Sequence, residues 1–177
     1  PVRWAGLRRP RALRRAAGIA VDTWNYDQTA IATSFAHSMG HNDISTEYHK
    51  CAGPFTTVPL PDGRSSLVWM ERPARAEILM AMADKELAAE IQIQTHGELG
   101  LFSGIGPRKA FPMKGLIARQ FASNRTILIG EAAHVVPPIG AQGLNMFLRD
   151  SSLVAEFILA NSDAVCLRIM VSYTATR

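Results

Sequence analysis

The chain has 177 residues, 47% of them hydrophobic, with 10 prolines; it can bury a core and reads as globular, which excludes a disordered or low-complexity protein. No apolar run approaches the roughly 20 residues that span a bilayer, and the start lacks the apolar core of a secretory signal, so the expected compartment is cytoplasmic. The formal net charge of +4 is uneven: Arg3, Arg8, Arg9, Arg11, Arg14 and Arg15 supply six of the 19 basic residues, and from Ala16 onward 13 basic residues face 15 acidic ones. No series of aromatic residues interleaves with those arginines as base stacking requires, so no nucleic-acid partner is expected; phosphate or anionic lipid at a membrane's inner face remains a possible peripheral contact.

In chain order, "RALRRAAGIAV" reads as the end of a basic helix closed by Gly18. "DTWNYDQ" reads as a turn, and "TAIATSFAH" as a strand. "STEYHK" and "PFTTVPL" follow as strands, and "PDG" turns the chain into the strand "SSLVWM". Over 73–94 the pattern becomes helical, with Ile78, Leu79, Met82, Leu87, Ile91 and Ile93 recurring among charged residues. "KAFPM" and "GLIARQF" read as short strands, and "TILI" as a compact buried one. The expected class is mixed α/β, with an antiparallel sheet first and a strand-to-helix unit last.

Two arrangements invite chemistry and are set aside. Cys51 and Cys166 lie far apart, without metal-ligand spacing or a C-x-x-C pair, so neither a disulfide framework nor a thiol motif is expected. His37, His41 and His49 raise a metal site, but Gly40 makes "ATSFAHSMGH" a strand-to-turn segment, so the i, i+4 pair shares no helical face and no metal is expected.

The informative stretch is "GEAAHVVPPIGAQGLNMFLRD", residues 130–150. It follows the strand "RTILI", and in open α/β sheets ligands collect at the carboxyl ends of strands. Gly130 and Glu131 stand at that end, where a carboxylate accepts hydrogen bonds from ligand hydroxyls such as those of a ribitol chain. Pro137 and Pro138 fix the backbone and remove two N–H donors, which suits a rigid wall beside a planar ring. Gly140 and Gly143 permit a tight turn into a helix expected near Leu144, whose free N–H groups and dipole favour an electron-rich ring. Along that helix Leu144, Leu148, Val154 or Ala155, and Ile158 or Leu159 are expected to form the buried stripe, with Arg149 and Asp150 facing out.

These residues carry a resemblance. The stretch resembles the G-D-A-A-H-x-x-x-P-x-x-G-x-G-x-N motif of flavin-dependent aromatic hydroxylases of the 4-hydroxybenzoate hydroxylase type, and looks closest to their ubiquinone-biosynthesis branch, the UbiH/UbiF-like hydroxylases. "AAGI", "EYH", "GPFTTVPLPDGRSSLVW" and "ARQFA" are similar to that branch as well. The resemblance implies FAD as cofactor and NAD(P)H as reductant. It further implies O2 and an aromatic, prenylated phenol as substrates, and contact with other ubiquinone-biosynthesis proteins. It places Gly130, Glu131, Pro138, Gly143, Leu144 and Asn145 against the cofactor, Glu131 on the ribitol and Leu144 and Asn145 at the pyrimidine side of the ring. His134 is expected to support its loop, and no side chain is expected to be catalytic, since the flavin carries the chemistry. Phe147 departs from the family, which has a small residue there. Phe55, Val58, Leu67 and Trp69 are the expected substrate-pocket residues.

The resemblance divides the chain into a remnant of an FAD-domain helix region (1–24), a substrate-binding sheet with helices (25–114), a return to the FAD domain (115–160) and an atypical tail (161–177). The strand, G-x-G-x-x-G and helix that hold the ADP half of FAD do not occur; "GIGPR" is a lone G-x-G that reads as a turn. Ala5 stands where the family's Asp-Gly would begin, and Asp62-Gly63 belongs to a hairpin. The expectation is a C-terminal part of a longer hydroxylase with its N-terminal Rossmann unit missing, a fragment that alone is inactive and binds FAD weakly or not at all. The alternative is a non-catalytic remnant or interaction module that binds no FAD alone.

Overall fold

The computed structural model describes residues 3–5, 10–138 and 142–160. Gly140, Arg8, Arg9, Cys166 and the tail 161–177 lie outside the described residues. The elements run β1 (Arg3–Ala5), α1 (Pro10–Ala16), β2 (Val21–His37), β3 (Thr46–Lys50), β4 (Gly53–Leu60), β5 (Arg64–Glu71), α2 (Pro73–Ala81), α3 (Asp84–Gln94), β6 (Phe102–Ser103) and β7 (Lys109–Ala118). They continue with β8 (Ala122–Ser123), β9 (Thr126–Leu128), a 3-10 turn (Gly130–Ala132), β10 (His134–Val135) and α4 (Gln142–Ala160). The chain is mixed α/β and divides into two compact units, Tyr26–Met113 and Pro1–Asn25 with Lys114–Arg177.

The unit Tyr26–Met113 is an antiparallel sheet in which β5 lies between β2 and β4, with β3 beyond β4 and β6 on the end of β2. Side chains alternate across the strands, so Ile31 and Phe35, Phe55 and Thr57, and Leu67 and Trp69 share one face. The helices cover that face with Ala76, Leu79, Leu87 and Ile91. Phe55 and Trp69 meet edge to face at 5.1 Å, an arrangement that suits the ring quadrupoles. The β4–β5 hairpin closes through residues 61–63, as the "PDG" signal predicts, with Asp62 and Gly63 at φ 62° and 65°.

Three expectations change here. "DTWNYDQ" is no turn but the first part of a 17-residue strand, β2. The helical pattern over 73–94 is two helices, interrupted where Met82 and Ala83 turn extended. Ile78 and Ile93 belong to no buried stripe; both are exposed.

In the other unit, β9 pairs parallel with β1 and antiparallel with β8. The β8–β9 turn is Asn124-Arg125, both at positive φ (45° and 61°), the two-residue hairpin geometry that matches strand twist. Helix α1 closes with Ile19 N–H donating to the Arg14 carbonyl at 2.9 Å and Gly18 N–H to that of Arg15 at 3.1 Å, the paired bonds of a glycine-terminated helix. The core comprises Ala17, Ile19, Ala118, Phe121, Ala122, Ile127, Leu128, Ala132, Ala133 and Val154. "KAFPM" and "GLIARQF" are largely one strand, β7, whose Leu116 and Ile117 pair with Val135 and His134 of β10.

Helix α4 keeps the second half of the expected stripe, Val154 and Ile158, but not the first. Leu144 and Leu148 are 67% and 55% exposed, and Ala155 and Leu159 are exposed too. The inward positions are Asp150, Val154 and Phe157, spaced i, i+4, i+7, with Leu153 and Ile158 beside them.

Candidate functional site

The strand β9 is buried throughout and ends at Leu128, after which the chain bends sharply at Gly130. Gly130 has φ +55°, a backbone state that glycine reaches without steric cost. A Cβ there would also come within 2.7 Å of the Phe147 ring, so Gly130 and Phe147 fit against each other. Phe147, the departure from the family pattern, thus packs on the motif's first residue.

Four polar contacts hold the turn that follows. The carboxylate of Asp150, fully buried on α4, accepts from Gly130 N–H at 2.8 Å through Oδ2, and the same oxygen meets Nε2 of His134 at 2.8 Å. The Arg14 guanidinium donates to the Ala132 carbonyl at 2.8 Å. Arg14 is itself buried, and burial, then the charge of Arg11, lowers its pKa from the ordinary value. Ala118 N–H donates to the Ala133 carbonyl at 2.7 Å. Residues 130–134 are therefore fixed from α1, β7 and α4.

Inside this frame Glu131 is exposed, with Ala132 and Ala133 buried behind it. The first turn of α4 holds Gln142, Gly143, Leu144 and Asn145, all exposed, and a Cβ added to Gly143 would meet nothing within 4 Å. The first N–H groups of a helix have no acceptor within it. Pro137 is half-buried and Pro138 exposed. The arrangement offers an exposed hydroxyl-accepting carboxylate, a proline segment without N–H donors and the backbone amides of a helix start. His134 is bound to Asp150 and supports its loop.

The four expected pocket residues do not share a face. Phe55, Leu67 and Trp69 are buried under α2 and α3, whereas Val58 is exposed on the opposite side of the sheet. That opposite side carries the half-buried Ala32, Ser34, Thr56, Ser66 and Val68. His37 meets the Met39 carbonyl at 2.7 Å and Ser65 Oγ at 3.0 Å, and His41 the Leu60 carbonyl at 3.1 Å. Among the described residues, no group of three His, Cys, Asp or Glu could hold a metal ion, and no helix is long and apolar enough to cross a membrane.

A family profile described as an FAD binding domain matches residues 13–164. The chain belongs to this family. It is similar to the ubiquinone hydroxylase UbiL of Rhodospirillum rubrum, 36% identical over 84% of this chain and 34% of that protein. It is also similar to the 3-demethoxyubiquinol 3-hydroxylase of Escherichia coli, 31% identical over 83% of this chain and 37% of that protein. Among solved structures, PqsL of Pseudomonas aeruginosa in complex with 2-aminobenzoylacetate superposes with a TM-score of 0.73 at 24% identity, covering 94% of this chain and 48% of that one. That likeness is one of fold. The chain spans about a third of the length of these curated relatives.

Two residues of the FAD-family turn escaped the sequence reading. Arg14 and Asp150 read as a solvated arginine and an outward charge; the acceptor for Arg14 lies 118 residues away, and the partners of Asp150 lie 20 and 16 residues away. The only signal for Asp150 is its spacing with Val154 and Phe157, a charge on an apolar stripe.

Proposed function

We propose that this chain supplies part of an FAD-dependent monooxygenase that hydroxylates an aromatic ring with NAD(P)H and O2, on a polyprenylated phenol of ubiquinone biosynthesis. The observation that carries the reading is the turn 130–134, held from α1, β7 and α4, which leaves the Glu131 carboxylate exposed. The names of the relatives support the substrate class and the pathway.

Gly130, Glu131, Pro138, Gly143, Leu144 and Asn145 are the residues that hold FAD. Glu131 accepts hydrogen bonds from the ribitol hydroxyls. The segment 136–138 walls the ring, and the amides around Gly143, Leu144 and Asn145 face its electron-rich side, where the helix dipole favours negative charge. When bound, FAD supplies the transfer of one oxygen atom from O2 to the ring. The protein's part is orientation and the exclusion of water. The small half-buried side chains of Ala32, Ser34, Thr56, Ser66 and Val68, with Val58, are the wall for an apolar phenol. Any contact with anionic lipid falls to the arginines at the start of the chain.

The test is FAD titration: the fluorescence of FAD added to the purified chain falls as it binds weakly, and flavin absorbance that survives gel filtration rules out the remnant reading. Glu131→Ala weakens FAD binding by about tenfold or more, the loss of hydrogen bonds to a charged acceptor. FAD fluorescence that neither falls with the wild-type chain nor responds to Glu131→Ala selects the remnant reading instead.

A further inference from the structure

Trp24 lies on β2 and is 42% exposed, large for an indole. Its seat is the backbone of Gly115 on the neighbouring strand β7: a Cβ at Gly115 would fall inside the indole, against Nε1, Cε2 and Cζ2. Gly115 is buried and is not among the residues with positive φ, so the backbone does not demand glycine there. The space demands it, and the space is filled by the ring. The indole therefore occupies the space that a side chain at 115 would take.

The sheet register then locates this ring. His134 pairs with Ile117 and Val135 with Leu116, so the next step sets Val136 level with Gly115. Val136 is exposed, and Pro137 and Pro138 follow it directly. Ile117, two residues from Gly115 and therefore on its face, is exposed as well. An immobilised indole, an isoleucine and a valine thus form an exposed apolar surface at the level where the proline segment leaves the sheet. An indole already held in place loses little freedom when a second ring stacks on it.

We propose that Trp24, seated on Gly115, is a stacking platform for a planar conjugated ring bound beside 136–138. The ring belongs either to the flavin or to the aromatic substrate. The assignment to flavin rests on the FAD reading above; the platform does not.

The experiment follows the indole N–H signals of the 15N-labelled 177-residue chain by NMR. The three tryptophans give three signals, and Trp24→Phe assigns the one of interest. The probes are lumichrome, which has the fused ring but no ribitol, phenol, and FAD. Stacking moves the Trp24 signal upfield and leaves that of the buried Trp69 in place. Lumichrome affinity falls about tenfold in Trp24→Leu, recovers in Trp24→Phe, and falls similarly in Gly115→Ala, which displaces the indole. A response to lumichrome assigns the platform to flavin, and a response to phenol alone assigns it to substrate. A Trp24 signal unmoved by both, or unchanged affinity in Trp24→Leu for the probe that moves the signal, overturns the platform. Lumichrome stacking without FAD binding removes the FAD reading only, whereas FAD binding that depends on Glu131, with a Trp24 signal that FAD, lumichrome and phenol all leave still, removes the platform only.

Discussion

At Asp150 a carboxylate is buried completely, which in an apolar setting costs several kcal/mol unless donors compensate. Gly130 N–H and His134 supply that compensation through one oxygen. Asp150→Ala removes the shared acceptor and is expected to lower stability by about 3 kcal/mol in urea denaturation, while Asp150→Asn, which keeps an acceptor, costs less. A loss below about 0.5 kcal/mol for the alanine variant would place the turn's support elsewhere. Tyr48 offers a second test at this scale. Its hydroxyl donates to Glu98 at 2.6 Å, and burial, then the Glu98 carboxylate, push its pKa up to about 12 from 10. A raised pKa means the folded protein holds the proton more tightly than the unfolded chain. The stabilisation is complete below pH 10 and is lost as pH rises through about 12. Ultraviolet titration should show Tyr48 as a late phenolate, and Tyr48→Phe should flatten the alkaline fall in stability between those values. Neither residue was legible as special in the sequence, because each owes its state to a partner from another element.

Arg108 shows the same dependence for a whole element. Helix α2 ends without a basic residue in its last turn, and its carbonyls need donors. Arg108 reaches across from the loop before β7, donating to the Leu79 carbonyl at 3.2 Å and that of Met80 at 3.3 Å, and pairs with Asp84 at the start of α3. Arg108→Leu is expected to cost about 2 kcal/mol and to speed amide exchange at the end of α2, whereas Arg108→Lys, a single point donor, restores part of the loss. Strand and turn identities came readily from the sequence where a local rule decides them: "PDG" closes its hairpin and Gly18 stops α1. The long strand β2 was broken too early because Asp22, Asn25 and Asp27 are poor strand formers, and pairing in the sheet overrode them. The first half of the α4 stripe was misread for a related reason, while Val154 and Ile158 were placed inward correctly. The helix's leucines outnumber its inward positions, so composition cannot say which side faces the core. Leu148→Gln should change stability by less than about 0.5 kcal/mol, and Val154→Ala should cost roughly 2 kcal/mol; equal costs would put the helix back in the expected phase.

For the molecule as a whole, the stretch 130–150 was legible in the sequence because its chemistry is local: a strand end, a carboxylate, prolines and a helix start lie within 21 residues. The sheet face suited to an apolar ring was not, since Ala32, Ser34, Thr56, Ser66 and Val68 come together only through the register of three strands. The two units have separate cores, one around Leu128 and one around Trp69. A ligand held by residues 130–145 therefore acts first on the unit that contains them. At FAD concentrations 100 times its dissociation constant, binding to the folded state alone contributes about 2.7 kcal/mol against any opening that destroys the site. Amide exchange should accordingly slow in β9 and at Gly130, Ala132 and Ala133, while amides of β4 and β5 that exchange by opening of their own unit keep their rates. Uniform slowing across both units would mean that they open together, and unchanged exchange at Gly130 under saturating FAD would remove Glu131 and its turn from the cofactor site.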